Sequence, residues 1–264
     1  MAHALVFDSG VGGLSVVKEL RRVMPDIHLS YVADDAFRPY GNKTEAQLKA
    51  RLPGLLKTLC LMLQPDVVVL ACNTASTTAL QEIRAVVSIP VVGVVPAIKP
   101  AAEQSQTKAI AVLGTPGTVK RRYVDKLISD FANDCQVVLH GSTELVEYAE
   151  QKLSGIRPDE SLLKAAIAPI FESPSGATVD TIILACTHFP LLRKELYEAA
   201  PRDLKWIDSG NAIARRTQTI LRNLRQSDSP KYPETAFLIG VNDNPKRTEV
   251  FISYGFEKTV SLVT

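Results

Sequence analysis

The chain has 264 residues, of which 46% are hydrophobic, 22% charged and 6% aromatic, and its formal net charge is +2. This composition is typical of a globular protein and excludes a disordered or fibrous chain. The small net charge also argues against a broad basic surface for nucleic acid, so no nucleic-acid partner is expected.

Four cysteines, Cys60, Cys72, Cys135 and Cys186, lie too far apart for a disulfide framework and form no Cys-x-x-Cys zinc motif. The longest stretch without a charged residue, Val67–Gln81, is shorter than the about 18 apolar residues of a membrane span. The N-terminal stretch MAHALVFDSG has no cationic segment before its apolar run, unlike a signal peptide. We therefore expect a cytoplasmic protein without a membrane partner.

Short β-rich runs alternate with amphipathic segments along the chain. The predicted strands are, in order, ALVFD, HLSYVAD, DVVVLAC, VVGVV, KAIAVLG, CQVVLHG, DTIILAC and LKWIDS. The predicted helices cover Ser15–Arg22, Thr44–Leu63, Ser76–Val87, Val119–Phe131, Leu162–Phe171 and Leu191–Ala199. Because the strands are apolar on both faces, the alternation predicts an α/β fold with mostly parallel sheets flanked by helices.

The order of features repeats. VFDSGVGGLSVVKEL and AVLGTPGTVKRRYVDKL each combine a strand, a glycine-containing turn and a helix, and each precedes a strand that ends in Ala-Cys, in LACNTAS and LACTHFP. We expect two similar, pseudo-twofold-related domains: residues 1–97 with 210–264, and residues 98–209. The boundary falls in VVPAIKPAAEQSQTK, where prolines and polar residues interrupt the rhythm, and a second crossing falls near DSGNAIA. The tail from residue 211, which contains AFLIG and EVFISYGF, should pack on the first half.

Polar residues follow several predicted strands. In open α/β sheets, ligands bind beyond the carboxyl ends of the strands, which here carry Asp8-Ser9, 72–74 (Cys-Asn-Thr), Thr115 and 186–188 (Cys-Thr-His). One cysteine at a strand tip is more often a packed core residue, but two in matched positions favour a function. We therefore expect both cysteines to lie in one active site, in the cleft between the domains.

Paired thiols admit three kinds of chemistry. A redox disulfide is disfavoured because neither cysteine lies in a Cys-x-x-Cys motif, and a metal site with His188 would lack a fourth ligand. An acid/base pair on opposite faces of a substrate predicts a racemase or epimerase. Asp8 could then assist Cys72, and His188 could assist Cys186, although a helix cap and a structural hydrogen bond are equally good explanations of these two residues.

Neutral polar groups surround these positions. The DSGVGG turn with Ser9 offers backbone N–H groups to a carboxylate, and with less support to a phosphate. Asn73, Thr74 and Thr187 are suited to carboxylate and amino groups, whereas RPYG at 38–41 alone would be a surface turn. The sequence has no lysine in a recognisable pyridoxal phosphate setting, and paired cysteines that act as acid and base would need no cofactor. No metal is expected either, because the fourth ligand is missing.

Six motifs in collinear order, FDSGVGGLSV, PYG with Lys43, ACNTAS, GVVPAIKPA, LGTPGTV and ACTHFPLL, resemble the bacterial glutamate racemase family over essentially the whole chain. The resemblance implies a cofactor-independent interconversion of L- and D-glutamate. It also implies a supply of D-glutamate for peptidoglycan, and thus for cell-wall biogenesis and cell shape, by a cytoplasmic two-domain enzyme that is often a homodimer.

The resemblance also implies roles for particular residues. Cys72 would handle the proton on the D-glutamate face and Cys186 the proton on the L-glutamate face, with Asp8, His188 and Glu150 of ELVEYAE as auxiliary groups. The implied substrate contacts, to which we add the strand-tip Thr115, are Asp8, Ser9, Tyr40, Gly41, Asn73, Thr74, Thr187 and His188.

Two positions depart from the family pattern. Arg38 stands where Phe commonly precedes Pro-Tyr-Gly, with Phe37 one place earlier, and Phe189 replaces a frequent Tyr.

Three alternatives remain. An aspartate racemase would share the two-cysteine chemistry, but that group usually has His at the position of Ser76. A noncatalytic amino-acid-binding protein would have inert thiols, and a cysteine amidohydrolase would use Cys186 with His188 and tolerate the loss of Cys72.

Overall fold

Ten strands form the sheets of the protein in a computed structural model that describes residues 2–224, 232–240 and 245–262. In chain order they are β1 His3–Asp8, β2 His28–Ala33, β3 Val67–Leu70, β4 Val91–Gly93, β5 Ala109–Gly114, β6 Gln136–Gly141, β7 Thr181–Leu184, β8 Lys205–Ile207, β9 Thr235–Ile239 and β10 Lys258–Leu262. The first eight are the strands that the sequence predicts.

Eleven α-helices lie within the described ranges. They are α1 Leu14–Val23, α2 Glu45–Leu63, α3 Asn73–Val86, α4 Ile98–Gln104, α5 Pro116–Val119, α6 Arg122–Phe131, α7 Glu144–Leu153, α8 Glu160–Glu172, α9 Arg193–Ala199, α10 Gly210–Arg222 and α11 Pro245–Ser253. Each predicted helix has a counterpart, although the helix predicted over Val119–Phe131 begins only at Arg122, as α6, and Val119 ends the separate α5.

One segment corrects the sequence prediction, and the tail contains elements that the sequence did not assign. The proline-containing stretch taken as an interruption forms α4, because Pro100 lies in the first turn, where the missing N–H costs no helical hydrogen bond. EVFIS in the tail belongs to α11, and the strand that follows is the short β10.

The strands form two parallel sheets with the same internal order. The larger sheet has the order β10-β9-β2-β1-β3-β4, and the smaller sheet has β6-β5-β7-β8. Every strand pair is parallel. The segments β2-β1-β3-β4 and β6-β5-β7-β8 therefore repeat one topology, second-first-third-fourth in chain order, which confirms the predicted α/β fold of two similar parallel sheets.

The chain folds into two compact units. The first comprises Met1–Val94 and Gly210–Thr264, and the second comprises Val95–Ser209. The larger sheet belongs to the first unit and the smaller sheet to the second.

The core of the first unit is built on α2. A capping box of Thr44 and Gln47 begins this helix, and its buried leucines recur every three to four residues, at Leu48, Leu52, Leu56, Leu59 and Leu63. They share a cluster with Ala75, Ala79 and Ile83 of α3 and with Leu5 and Val68 of the sheet. This packing places the N-terminus of α3 directly at the end of β3.

One core cluster of the second unit packs α7 and α8 on one face of its sheet, and a second cluster packs α4 and α6 on the other face. Leu145 and Ala149 of α7, Leu163, Ile167 and Ile170 of α8, and Phe189 and Leu192 after β7 cluster with Leu113 and Leu184 of the strands. The 3-10 turn Phe189–Leu192 is thereby fixed against α7. Across the three described ranges, no helix combines the length and the apolar character that a bilayer crossing requires.

Candidate active site

Two groups of polar residues lie at the carboxyl ends of the strands, one in each unit. The Cys72 half-site consists of Asp8, Ser9, Tyr40, Gly41, Cys72, Asn73 and Thr74, and the Cys186 half-site of Thr115, Glu150, Cys186, Thr187 and His188. The word half-site expresses only the proposal that both cysteines act on one substrate. The parallel registers align Phe7 with Leu70 and Leu113 with Leu184, so the cysteine strand ends beside the first strand in each sheet.

The turn after β1 is stabilised by a hydrogen bond to the side chain of Asp8. Oδ1 of the buried Asp8 accepts a hydrogen bond of 2.8 Å from the Gly10 N–H, and the Tyr31 hydroxyl donates to the Gly10 carbonyl at 2.8 Å. A Cβ at Gly13 would lie 2.7 Å from the Tyr31 oxygen, which explains the glycine. Burial and the Asp8 carboxylate raise the pKa of Tyr31 well above its ordinary value, so Tyr31 stays a neutral donor.

Cys72 occupies the N-cap position of α3. Its side chain is buried, and its Sγ lies 3.7 Å from Ser9 Oγ. The positive end of a 14-residue helix dipole lies beside the sulfur, and this favours a thiolate.

The residues after Cys72 are also buried. The Asn73 side-chain oxygen has no hydrogen-bond partner in the described part of the chain, and such a buried acceptor is suited to an ammonium or N–H group. Ser76, by contrast, has a structural role: its hydroxyl donates to the Leu70 carbonyl at 3.0 Å and accepts from the Val94 N–H at 3.0 Å. It therefore ties the ends of β3 and β4 to α3.

Tyr40 and Gly41 lie in the short 3-10 turn Tyr40–Asn42, which contacts α3. The Tyr40 ring is buried and its hydroxyl donates to Asp34 Oδ2 at 2.5 Å. Since the hydroxyl is committed to Asp34, the main chain of Tyr40 and Gly41 is the part best suited to meet a substrate. Arg38, the departure from the family pattern, is 43% exposed and lies 3.4 Å from the Asp35 carboxylate.

The Cys186 half-site contains a chain of three polar groups. Cys186 Sγ lies 3.8 Å from His188 Nδ1, and His188 Nε2 lies 3.3 Å from Glu150 Oε1. Cys186, Thr187 and His188 are buried, whereas the Glu150 side chain is 21% exposed. A thiol, an imidazole and a carboxylate in series can move a proton to or from the sulfur.

The position of Glu150 is fixed by the contacts of its helix, α7, with the segment after His188. Lys152, two residues later on α7, donates to the Leu191 carbonyl at 2.7 Å and to Glu195 Oε2 at 2.8 Å. These bonds fasten α7 to the 3-10 turn that begins directly after His188. The distance between Glu150 and His188 is thereby set by the packing of two elements.

Thr115 caps the short helix α5. Its Oγ1 accepts from the Thr118 N–H at 3.3 Å and lies 3.0 Å from Thr118 Oγ1. A helix cap accounts for this threonine, and its predicted contact with substrate stays a prediction, as do the roles of the other site residues. The described ranges contain no cluster of three or more His, Cys, Asp or Glu residues that could hold a metal ion.

The structure adds residues that the sequence did not single out. Tyr31 closes the glycine turn, Asp34 holds Tyr40, and Lys152 fastens α7. Each meets a partner in another element, and no motif at fixed spacing could have indicated these pairs.

Comparison with known proteins gives a consistent set of relatives. The profile of the Asp/Glu/Hydantoin racemase family matches residues 14–217. A glutamate racemase of Pasteurella multocida is 44% identical over 98% of this chain and 95% of its own length. One from Shewanella sp. strain MR-7 is 49% identical over 82% of this chain and 78% of its own length.

A solved structure also matches over almost the full length of both chains. The crystal structure of Escherichia coli glutamate racemase in complex with L-glutamate and the activator UDP-MurNAc-Ala is 41% identical. It superimposes with a TM-score of 0.93 and covers 99% of this chain and 98% of that chain.

Proposed function

The chain belongs to the glutamate racemases of the Asp/Glu/hydantoin racemase family, and we propose that it interconverts L- and D-glutamate without a cofactor by proton transfer at Cα. The observation that carries this proposal is the pair of buried cysteines at equivalent strand ends of two sheets with the same topology. The similarity to glutamate racemases extends over both of these strands.

Two thiols supply the two bases that racemisation needs. In the direction from D- to L-glutamate, the Cys72 thiolate takes the Cα proton and the electron pair of the C–H bond stays on the substrate as a carbanion. The Cys186 thiol then gives its proton to the opposite face, so Cys72 ends as a thiol and Cys186 as a thiolate. The reverse direction exchanges these roles, and no atom or electron is gained or lost.

The two thiolates are stabilised by different groups. The Cys72 sulfur lies at the N-cap of α3 and close to Ser9, so a helix dipole and a hydroxyl lower the cost of its negative charge, with Asp8 at the neighbouring strand end as an auxiliary group. The Cys186 sulfur lies beside His188, which Glu150 orients through its other nitrogen. His188 can therefore accept the thiol proton when Cys186 must act as a base.

The substrate is held by neutral groups at the two half-sites. Asn73 offers its buried side-chain oxygen to the substrate ammonium. Thr74, Thr187 and the backbone at Ser9 and Gly41 are suited to the two carboxylates. Hydrogen bonds to the α-carboxylate strengthen as charge develops on the carbanion, which lowers the barrier to deprotonation.

The product has a recognised use. We propose that this enzyme supplies D-glutamate for peptidoglycan in the cytoplasm and that it works as a homodimer, as the resemblance implies. The Escherichia coli relative is described with UDP-MurNAc-Ala as its activator, and we extend this activation to the present chain, on the strength of 41% identity over 99% of its length. Addition of that precursor should raise the rate of racemisation.

Solvent deuterium exchange tests the proposed function. The protein is incubated in D₂O with L-glutamate, D-glutamate or, as a control, D-aspartate, and deuterium at Cα is followed by NMR. Exchange with both glutamate enantiomers and little with aspartate is expected. Exchange with aspartate alone would identify an aspartate racemase, binding without exchange would identify a noncatalytic binder, and ammonia release from an amide substrate would identify an amidohydrolase.

A further inference from the structure

A buried carboxylate lies directly behind the Tyr40 turn. Asp34 follows β2, its side chain is 0% exposed, and it accepts three hydrogen bonds. Arg51 of α2 donates from Nε to Oδ2 at 2.7 Å and from Nη2 to Oδ1 at 2.7 Å. The Tyr40 hydroxyl donates the third bond at 2.5 Å.

The same residue is attached to the first strand tip. The Asp34 N–H donates to the Asp8 carbonyl at 3.0 Å, so one residue links the end of β1 to the Tyr40 turn. Tyr40 belongs to the same buried cluster as Cys72. A displacement of the Tyr40 ring would therefore move the main chain of the adjacent Gly41 and change the packing around Cys72.

The Arg51 guanidinium is itself fixed. It lies 5.1 Å from the centroid of the Phe37 ring, and that ring packs edge-on against Tyr40 with centroids 6.2 Å apart. A planar guanidinium with two parallel hydrogen bonds and a stacked ring is held in one orientation, which a lysine ammonium cannot reproduce.

We propose that Arg51 is a positioning residue of the racemase reaction, which through Asp34 holds Tyr40 and Gly41 in the orientation that substrate binding requires. This inference rests on the proposed function. In the Asp34–Arg51 pair the carboxylate is fully buried and the guanidinium half-buried. Such a pair is a poor way to gain stability, since the cost of removing the charge from water offsets much of the attraction. The Asp34–Arg51 pair lies beside the Tyr40 turn, which indicates that it fixes the orientation of that turn.

The chain offers a matched control for Arg51. Arg21 has the same side-chain exposure, 27%, lies in the same unit, and donates to the Glu234 carboxylate at 2.7 Å. Its guanidinium also lies 5.5 Å from a ring centroid, that of Phe256, but on the side of the unit formed by β9 and the end of α11. Arg21 bonds Glu234 through Nη2 alone and also donates from Nε to the Tyr254 carbonyl at 3.0 Å. Arg21→Met therefore removes an arginine–carboxylate pair of the same arginine exposure, away from the half-site.

The experiment compares Arg51→Met with Arg21→Met in steady-state racemisation of D- and L-glutamate, with Tm measured for each variant. We expect both variants to lose stability, but only Arg51→Met to lose kcat/KM, roughly 10- to 100-fold, mainly through a higher KM. Arg21→Met should stay within about twofold of wild type. Equal activity in the two variants, at whatever Tm, would overturn the inference.

Two milder variants keep the test decisive if Arg51→Met does not fold. Arg51→Lys keeps the charge but loses the paired hydrogen bonds, and Tyr40→Phe keeps the Asp34–Arg51 pair but removes the hydroxyl. Both should raise KM several-fold. Because the three groups act in series, the double variant Tyr40→Phe with Arg51→Lys should have a kcat/KM within about twofold of that of the less active single variant. Losses that multiply in the double variant, or no loss in either single variant, would contradict the proposal.

The outcomes separate this inference from the proposed function. If the wild-type protein racemises glutamate and the Arg51 variants match Arg21→Met, only the positioning role fails. If the wild-type protein does not racemise glutamate, the proposed function itself fails.

Discussion

The two half-sites share a topology but differ in the groups that surround their sulfur atoms. Cys72 lies at the N-cap of the 14-residue α3 with a serine hydroxyl 3.7 Å away. Cys186 instead precedes a 3-10 turn that leads into the short α9, and it has an imidazole and a carboxylate in series. A repeated fold thus supplies a cysteine at the same place twice, while the neighbouring elements supply two different ways of stabilising a thiolate. In the proposed mechanism, the fold positions the two bases and local side chains adjust them.

The largest expected effect tests whether both halves of this comparison are needed. Cys72→Ser and Cys186→Ser should each lower racemisation of glutamate by roughly 10²-fold or more, the range for loss of a general acid–base group, because serine is a far weaker acid than cysteine. Polarimetry or circular dichroism measures the rate. Retained activity in Cys72→Ser alone would point to an amidohydrolase-like use of Cys186, and indifference in both variants would point to a binder.

The two units should also respond differently to acid. His3 of β1 is fully buried with its ring against His28 and Tyr232, and burial, with the nearby His28, lowers its pKa from 6.5 to about 4 despite the opposing effect of Asp66. The unfolded chain therefore binds a proton before the folded one does, and stability is lost as the pH falls from about 6.5 towards 4. This loss amounts to about 3 kcal/mol by pH 4.

Urea unfolding at several pH values checks that prediction. Substitution His3→Gln should flatten the fall in stability between pH 6.5 and 4. In the second unit, Asp180 responds at lower pH. Hydrogen bonds from Ser105, Thr107 and Thr181 overcome burial and lower its pKa to about 2, so its contribution is lost only below about pH 4. An unchanged slope in His3→Gln would assign the acid sensitivity to other groups.

A smaller effect concerns the Cys186 half-site alone. Removal of the base in His188→Asn should lower kcat by about 10²-fold, and Glu150→Gln, which acts through His188, by about tenfold. The pH–rate profile should move with Glu150→Gln, because the carboxylate stabilises the protonated imidazole. Equal losses of kcat in the two variants would show that Glu150 has a direct role. A change in Tm without a change in kcat would show that both residues are only structural.

The smallest effect concerns the departure at Arg38. This side chain is 43% exposed, and its partner Asp35 also pairs with Arg247 of α11. Arg38→Phe, which restores the family residue, should change the free energy of unfolding by less than about 1 kcal/mol and activity by less than about twofold. A large gain in activity would show instead that Arg38 limits the Tyr40 turn.

Much of the fold could be predicted from the sequence, because buried parallel strands leave apolar runs that polar and glycine-rich turns delimit. VVVL and TIIL are such runs, and both are fully buried strands. The weaker segments were missed for physical reasons. Seven-residue α4 has two alanines and a proline and little periodicity, and β10 is a half-buried edge strand.

Only those residues of the candidate site that directly follow a predicted strand could be identified from the sequence pattern. Asp8, Cys72 and Cys186 follow apolar runs directly, and the resemblance added Glu150, which is distant in the chain from His188. The Asp34–Arg51 pair joins a strand end to a helix 17 residues later, with no motif to mark it. Such pairs depend on tertiary packing, and a single sequence carries no record of them.

The fate of the label in early turnover tests the two-base claim most directly. L-glutamate is converted in D₂O to a few per cent of product, and the deuterium content at Cα of each enantiomer is measured. The account predicts D-glutamate that is almost fully deuterated and recovered L-glutamate that is almost free of deuterium, because one thiol removes a proton and the other delivers a solvent-derived one. Equal deuterium in both enantiomers from the start would mean a single base on one face, and would contradict the account.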